Sequence, residues 1–199
     1  MIKCNVTVVG SVYRNVELKK GRNENSFATF GITVQLMEGQ EEKGIDLSIA
    51  HDGENDFVLS LKKGDRVKIK GVLTFKRRDD NIYFNLSADE VTAADSEEDA
   101  ISGDIQFRGT LGNKEIHERK GKKGNFRIFD AYSTEKIDEN NYAYTWVHFV
   151  DFNNPRPEWL APRVKIEVEG TLELQVFNGK VQINCLVGSL SPWNKETSN

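Results

Sequence analysis

The sequence predicts an all-β protein built from two tandem five-stranded barrels. One pattern of apolar residues occurs twice within 199 residues, and inside each copy apolar residues alternate with polar ones. Glycines also recur in the middle of the predicted strands. The clearest instance is "GDRVKIKGVLTF" at 64–75, which returns as "PRVKIEVEGTLEL" at 162–174. We therefore expect two similar sheets that each coil sharply enough to close.

An ungapped shift of 99 residues relates the two copies at five separated segments. It carries Val6 onto Ile105, Gly71 onto Gly170, and Phe84 onto Ile183. A single offset over such distances indicates duplication of a unit of about 95 residues. We predict a first domain at 1–95, a linker at 96–103, a second domain at 104–193 and a short tail at 194–199.

The predicted linker explains the acidic balance of the chain. The net charge is −4, yet residues 89–104 carry seven acidic side chains and no basic ones. This stretch is rich in small residues and lacks apolar periodicity, which is typical of a flexible connection. The two domains are therefore close to neutral, and the net charge does not exclude a polyanionic ligand.

Five strands are predicted in the first unit, with counterparts in the second. Their approximate ranges are 4–18, 26–37, 43–50, 65–76 and 81–91, with at most a short helix between the third and fourth. Glycines inside the first and fourth strands would weaken a flat sheet, but they permit the sharp coiling of a small barrel. This pattern favours the five-stranded Greek-key barrel known as the OB-fold. A pair of β-sandwiches is the alternative.

Composition narrows the function classes. No apolar run is long enough to span a membrane and the N-terminus lacks a signal-peptide pattern, so we expect a cytoplasmic protein. Cys4 and Cys185 have no CxxC spacing, which favours structural thiols. The three histidines, His51, His117 and His148, have no metal-ligand spacing, and no phosphate loop or catalytic motif occurs. We expect neither an enzyme nor a bound metal or cofactor.

Several segments in order resemble the bacterial single-stranded DNA-binding protein (SSB) family. "NVTVVGSV", "FATFGITVQ" and "LSLKKGDRVKIKGVLTF" in the first unit are similar to the family's first, second and fourth strands. In the second unit, "YTWVHFVDF" is similar to its third strand. The resemblance implies OB domains that bind single strands, with Trp146 and Phe152 as stacking surfaces for bases.

Two departures from that family pattern are visible. Typical members have one OB domain per chain and a glycine-rich tail with an acidic-aromatic tip, whereas this sequence has two units and ends "SLSPWNKETSN". The resemblance therefore implies a tandem variant, such as a phage or mobile-element type or a specialised paralogue. Recruitment of repair proteins through such a tip is in doubt.

Basic residues cluster in the loops that flank the binding face of an OB-fold, between strands one and two and between strands four and five. Cationic loops of this kind track phosphates. For each residue the alternative is a solvated loop charge. The candidates are Lys19, Lys20, Arg22, Lys76, Arg77 and Arg78 in the first unit, and Lys114, Arg119, Lys120, Lys122, Lys123, Arg127 and Lys180 in the second.

The aromatic candidates depend on strand phase. Tyr83 alternates with Ile82 and Phe84, so it should point away from the core. Apolar residues occur in both phases of "YTWVHFV": a core of Val147 and Phe149 leaves Trp146 and His148 outward, and the reverse phase buries Trp146. Further candidates lie beside the loops.

Phe27 and Phe126 either stack on a base or close the barrel end, and Phe177 lies in a rim loop. On the ungapped offset, the first unit has Leu47 at the Trp146 position and Gly53 at the Phe152 position. We therefore expect it either to bind more weakly, or to serve mainly to extend the binding track or to pair with another chain.

These patterns predict a sequence-tolerant single-stranded DNA-binding protein that coats strands exposed in replication, recombination or DNA transfer. The alternatives are an OB-fold protein-interaction scaffold, and an RNA-binding or primosome-type accessory protein. The partners expected are single-stranded DNA or RNA, and possible replication or recombination proteins. The sequence leaves open whether the chain is a monomer or a homo-oligomer.

Overall fold

The first barrel is formed by five strands and one short helix. In the computed structural model, which describes residues 1–21, 25–38, 41–78, 81–122, 124–153 and 155–194, its elements are β1 (Ile2–Lys20), β2 (Ser26–Glu38), β3 (Glu41–Asp52), α1 (Asp56–Ser60), β4 (Arg66–Arg78) and β5 (Asn81–Ala93). The strands pair in the order β2-β3-β5-β4-β1, and β1 pairs again with β2 to close the ring. Only β3 and β5 are parallel among these pairs. This is the Greek-key connectivity of an OB-fold.

The second barrel repeats this connectivity. Its strands are β6 (Ala100–Leu111), β7 (His117–Gly121), β8 (Gly124–Lys136), β9 (Tyr142–Asp151), β10 (Lys165–Phe177) and β11 (Lys180–Pro192). The order is β6-β10-β11-β9-β8, closed by pairing of β6 with β8, and β9 and β11 are parallel. The two OB barrels predicted from the sequence are confirmed. The additional strand β7 pairs with β8 inside a segment that the sequence predicted as a loop.

Alternating side chains fill each barrel, as the period-2 pattern predicted. Val8, Ile32 and Ile69 are buried in barrel one, and Phe107 and Phe149 in barrel two. The ring of Phe149 stacks on Phe129 at 5.2 Å between centroids and meets Phe107 edge-on at 5.0 Å. Because neighbouring residues of a strand point to opposite faces, these cores determine which side chains are left on the outer face of each sheet.

Glycines in the fourth strand of each barrel lie where another strand comes too close for a side chain. A Cβ on Gly71 would lie 2.1 Å from the Ser87 carbonyl oxygen, and one on Gly170 would lie 2.2 Å from that of Leu186. The register of β4 and β5 also shifts between Lys70 and Gly71. Close approach and local irregularity are what sharp coiling of a small barrel requires, as the sequence predicted.

The third strand departs from the uniform offset of 99 residues. Ile32 pairs with Leu47 in barrel one, while Ala131, the counterpart of Ile32, pairs with Val147 in barrel two. The offset in this strand is therefore 100, and Leu47 corresponds to the buried Val147. The expectation that Leu47 occupies the Trp146 position was wrong, because the longer β8–β9 connection contains one more residue at this point in the alignment.

The chain divides into two compact units. One comprises Cys4–Gly103 with Leu174–Val181, and the other comprises Met1–Lys3, Asp104–Glu173 and Gln182–Asn199. In the first unit the predicted linker contacts the barrel: the Asp99 carboxylate accepts a hydrogen bond from the Gln35 backbone N–H at 2.7 Å and forms an ion pair with Arg66. The four domain ranges given above remain a prediction. No helix within the described ranges has the length and apolar character needed to cross a membrane.

Candidate nucleic-acid interface

The outer surface of β8 and β9 in barrel two is rich in aromatic side chains. Val147 and Phe149 point into the core, so alternate residues of β9 point outward. Tyr142, Tyr144 and Trp146 are each close to half exposed. The phase in which Val147 and Phe149 form the core is therefore confirmed, and Trp146 is 46% exposed rather than buried.

Aromatic rings on this surface contact one another across the two strands. Tyr132 of β8 lies opposite Trp146 of β9, with 4.9 Å between ring centroids, and its ring meets Tyr144 edge-on at 5.5 Å. At the other end, Phe126 and Phe152 pack at 5.4 Å. We call this set of six residues the aromatic face: Phe126, Tyr132, Tyr142, Tyr144, Trp146 and Phe152. Measured along β9 it is about 30 Å long, at about 3.3 Å per residue.

Cationic side chains border the aromatic face. The antiparallel register places Arg119 of β7 directly opposite Phe126, so both residues lie on the same side of the sheet. Lys114, Lys120 and Lys122 are exposed along the same β6–β8 connection. Within the residues that the structure describes, none of these four cations takes part in an ion pair. Lys123 lies outside the described residues.

Arg127 has a different position from the one predicted. Its side chain is only 2% exposed and its Nη2 lies 2.5 Å from Asp151 Oδ2. The same nitrogen donates to the Asn153 carbonyl oxygen, and Nε donates to Asp151 at 3.2 Å. A buried guanidinium held by a carboxylate supports the sheet from inside, because residues 127 and 151 face each other between the strands. Arg127 is therefore not part of the surface described here.

His148 lies in the middle of the aromatic face. Its Nδ1 is joined to Asp130 Oδ1 by a hydrogen bond of 2.7 Å, and the two residues pair across β8 and β9. The outward orientation predicted for His148 is confirmed, since it alternates with the buried Val147 and Phe149. The contact also places a carboxylate, that of Asp130, among the aromatic side chains of this surface.

The same surface of barrel one has different chemistry. With the offset of 100, Asp46 and Asp52 occupy the places of Trp146 and Phe152. Asp46 accepts a hydrogen bond from Thr33 Oγ1 at 2.7 Å, and Asp52 pairs with Phe27, the counterpart of Phe126. The expectation of Gly53 at the Phe152 position was also wrong by one residue. Two carboxylates replace two aromatic rings, which disfavours approach of a phosphate chain.

Four of the six cations predicted for barrel one are exposed at its rim: Lys19, Lys20, Lys76 and Arg78. Lys19 is paired with Glu17 at 3.2 Å, and Lys20 is exposed. Lys76 lies opposite Tyr83 on the β4–β5 hairpin, where Tyr83 is half exposed as its phase predicted. Arg78 is exposed and Arg77 is half-buried on the same hairpin, and Phe27 is half-buried beside the first loop. Arg22 lies outside the described residues.

The β10–β11 hairpin carries the last two sequence candidates. Phe177 and Lys180 flank a turn in which Asn178 and Gly179 have positive φ angles of 51° and 68°. Both side chains are exposed, and Phe177 is the most exposed aromatic residue of the chain as described. This tip belongs to the compact unit that contains barrel one.

Three residues of the aromatic face were missed by the sequence analysis. Tyr142 and Tyr144 precede Trp146 at spacings of two residues, and this alternation would have revealed them once the phase of β9 was known. Only the strand pairing shows that Tyr132 belongs to this surface, since it lies opposite Trp146 in the neighbouring strand. A single-sequence pattern contains no direct signal for that register.

Comparison with known proteins gave structural matches only: no protein-family model and no curated protein matches the chain. It is similar to the crystal structure of the wild-type single-stranded DNA-binding protein from Thermus aquaticus (12% identity, TM-score 0.49, covering 100% of this chain and 96% of that one). A deletion mutant of that protein matches with 14% identity and a TM-score of 0.47, covering 98% and 96%. An SSB domain from Synechococcus matches 44% of this chain and 92% of its own, with 14% identity and a TM-score of 0.35.

Proposed function

We propose that this chain is a sequence-tolerant single-stranded DNA-binding protein in which barrel two makes the principal contact. The observation that supports it best is the aromatic face with cations at its border. Proteins that bind single strands without sequence preference combine aromatic side chains, on which bases stack, with positive groups that follow the phosphates. Both kinds of group lie here on one exposed sheet surface.

Barrel one has a weaker part in this proposal. Asp46 and Asp52 would repel the backbone of a strand crossing its outer sheet, so its contribution would come from exposed rim side chains, such as Lys76, Arg78 and Tyr83 on the β4–β5 hairpin. When barrel two is engaged, such a weak second site still gains from its high local concentration on the same chain. The protein would thus coat strands exposed in replication, recombination or DNA transfer.

Titration with oligo-dT tests the proposal, using tryptophan fluorescence and anisotropy of a labelled strand. Stacking of a base on an aromatic side chain contributes about 1–3 kcal/mol, so Trp146→Ala should weaken binding about 5- to 150-fold. Trp146→Phe should bind more tightly than Trp146→Ala but lose most of the fluorescence change. As a matched control, Trp193→Phe should keep both. Unchanged affinity in Trp146→Ala would overturn the assignment of the aromatic face.

Salt dependence tests the cationic border separately. Each phosphate contact on a single strand contributes about −0.7 to the slope of log K against log salt. Arg119→Gln combined with Lys122→Gln should therefore make the slope less negative by about 1.4. Lys62→Gln combined with Lys63→Gln removes two exposed charges from the turn before β4 and should leave the slope unchanged. Equal slopes in all three proteins would contradict the proposed path of the phosphates.

The interaction-scaffold alternative is favoured by one observation, the carboxylates on the outer sheet of barrel one. A protein partner with basic residues would suit that surface better than a nucleic acid would. If oligo-dT at low salt leaves the tryptophan fluorescence and the anisotropy of the labelled strand unchanged with the wild-type protein, the scaffold function becomes the better account. Competition between oligo-dT and oligo-U of equal length distinguishes a DNA binder from the RNA-binding alternative.

A further inference from the structure

We propose that barrel two receives one unstacked nucleobase in a cleft beside Trp146, and that this cleft favours a base with an exocyclic amino group over thymine. The inference depends on the proposed function and adds a base-selective position to an otherwise sequence-tolerant surface. It rests on the shape of the cleft, on the corresponding place in barrel one and on the hydrogen-bonding groups that line it.

The cleft has a volume of about 440 Å³ and lies between the start of the β6–β7 connection and the outer sheet. Ligand pockets usually measure about 300–1,000 Å³, so it has room for a base with part of its sugar. Trp146 and Ile128 form apolar walls. Polar groups come from the sheet residue Asp130 and from the connection, which supplies Asn113, Lys114, Glu115 and His117. A flat apolar wall with a few polar groups at its edge is suited to a heteroaromatic ring.

Gly112 allows the indole to form one wall of the cleft. A Cβ at this position would lie 3.3 Å from Trp146 Cζ3 and 3.1 Å from the Asp130 carbonyl oxygen. The Gly112 N–H donates to that same carbonyl at 2.8 Å, which fixes the backbone beside the ring. Any longer side chain on residue 112 would extend toward the indole and take up part of the open space.

Barrel one fills the corresponding place with a ring of its own. Val12 pairs with Ile32 as Leu111 pairs with Ala131, so Tyr13 is the counterpart of Gly112. The Tyr13 ring lies on Gly31: its Cε1 and Cζ atoms are 2.6 Å from where a Cβ of Gly31 would be. Barrel one fills this place with the tyrosine ring, whereas barrel two has Gly112 and Asp130 here and keeps an open cleft lined by Trp146.

Two carboxylates line the cleft, Glu115 on the connection and Asp130 on the sheet, and we assign recognition of the base to Asp130 because it lies on the strand next to Trp146. Asp130 stands where barrel one has Gly31, and its side chain is 43% exposed. An ionised carboxylate can only accept hydrogen bonds, and one of its oxygens is already joined to His148. It would therefore attract the N4 amino group of cytosine, or another exocyclic amine, and would repel O4 of thymine, which occupies the equivalent edge.

The test compares two labelled strands of about 12 nucleotides, oligo-dT and the same strand with one central dC. Because the remaining surface tolerates any sequence, the strand can slide until the cytosine meets the cleft. We expect the dC-containing strand to bind about 5- to 10-fold more tightly. Equal binding of both strands would overturn this inference and leave the proposed function intact. Failure of both strands to bind would overturn the proposed function itself.

Variants locate the preference within the cleft. Asp130→Asn keeps the size of the side chain but offers both a donor and an acceptor, so thymine is no longer repelled. Oligo-dT should then bind more tightly than it does to the wild type, and the preference should fall below about twofold. Asp52→Asn, the same change on barrel one, should leave the ratio of the two affinities as it was. Gly112→Tyr, which adds a large side chain beside Trp146 and Asp130 and so fills the cleft, should also abolish the preference. Persistence of the wild-type ratio in Asp130→Asn would refute the role of this carboxylate.

Discussion

The buried ion pair between Arg127 and Asp151 gives a prediction on which the structure and the sequence pattern differ. The structure buries Arg127, whereas the sequence pattern placed it in a loop that binds phosphates. We consider Asp151→Asn, which keeps the shape of the side chain and removes its charge. The guanidinium of Arg127 would remain in the interior with no carboxylate to balance it, and its Nη1 already has no hydrogen-bond partner among the described residues. Removing one partner of a buried ion pair typically costs about 3–5 kcal/mol.

That cost sets the size of the expected effect. For a protein of 150–250 residues, 1 kcal/mol corresponds to a shift of about 2–4 °C in Tm, so Asp151→Asn should lower the Tm by roughly 6–20 °C. Circular dichroism during thermal and urea unfolding measures the change. The double variant Arg127→Met, Asp151→Leu removes both charges and should be distinctly more stable than Asp151→Asn, because an apolar replacement of a buried pair is often neutral. Barrel one already lacks the pair, since it has Ala28 and His51 facing each other there.

Two results would refute this reasoning. A loss below about 1 kcal/mol in Asp151→Asn would mean that the pair is not desolvated as the structure has it. A salt slope that becomes less negative by about 0.7 in the double variant would mean that Arg127 contacts a phosphate after all, as the sequence first indicated. We expect an unchanged slope, since the guanidinium lies behind the sheet surface.

Three further outcomes follow from the barrels. Gly170→Ala should destabilise the protein by about 1–3 kcal/mol in urea unfolding, because its Cβ would lie 2.2 Å from the Leu186 carbonyl oxygen; wild-type stability would contradict that close approach. Burial, with a smaller effect of the Glu173 charge, raises the pKa of the Cys185 thiol to about 12. The thiol's contribution to stability is then complete below its ordinary pKa of 9.0 and is lost as the pH rises toward 12. A thiol reagent at pH 8 should label Cys185 and the buried Cys4 only after denaturation, and rapid labelling of the native protein would be inconsistent with both positions. Asp46→Trp combined with Asp52→Phe should tighten binding of oligo-dT by placing rings on the outer sheet of barrel one, and unaltered anisotropy titrations would show that aromatic rings there do not suffice.

The barrel architecture could be predicted from the sequence because its causes are local. Alternation of apolar residues reflects the two faces of a strand, and the four glycines at positions 10, 71, 109 and 170 lie where neighbouring backbone leaves no room for a side chain. Both signals are present in the residues themselves. They also survived duplication in the same order, so the repeat reinforced each of them.

The candidate interface was harder to predict because it depends on pairing between strands. Arg127 looked like a member of a basic loop, yet its partner Asp151 lies 24 residues away in the chain and directly opposite in the sheet. Tyr132 acquires its place only because it faces Trp146. Whether a charge finds a buried partner and whether two rings touch depend on the register between two strands. The sequence of one strand alone does not determine that register.

The third strand shows how much depends on one residue of register. Under a uniform offset, Trp146 would match Leu47, a core residue, and the two barrels would differ merely in the size of an apolar side chain. The pairing of β8 with β9 shifts that match by one residue, and in a strand a shift of one residue exchanges the inner and outer faces. Trp146 and Phe152 of barrel two then correspond to Asp46 and Asp52 of barrel one. The duplicated barrels thus differ in the chemistry of their outer faces, rings on one and carboxylates on the other. This contrast is the physical reason to assign the principal contact with a single strand to barrel two.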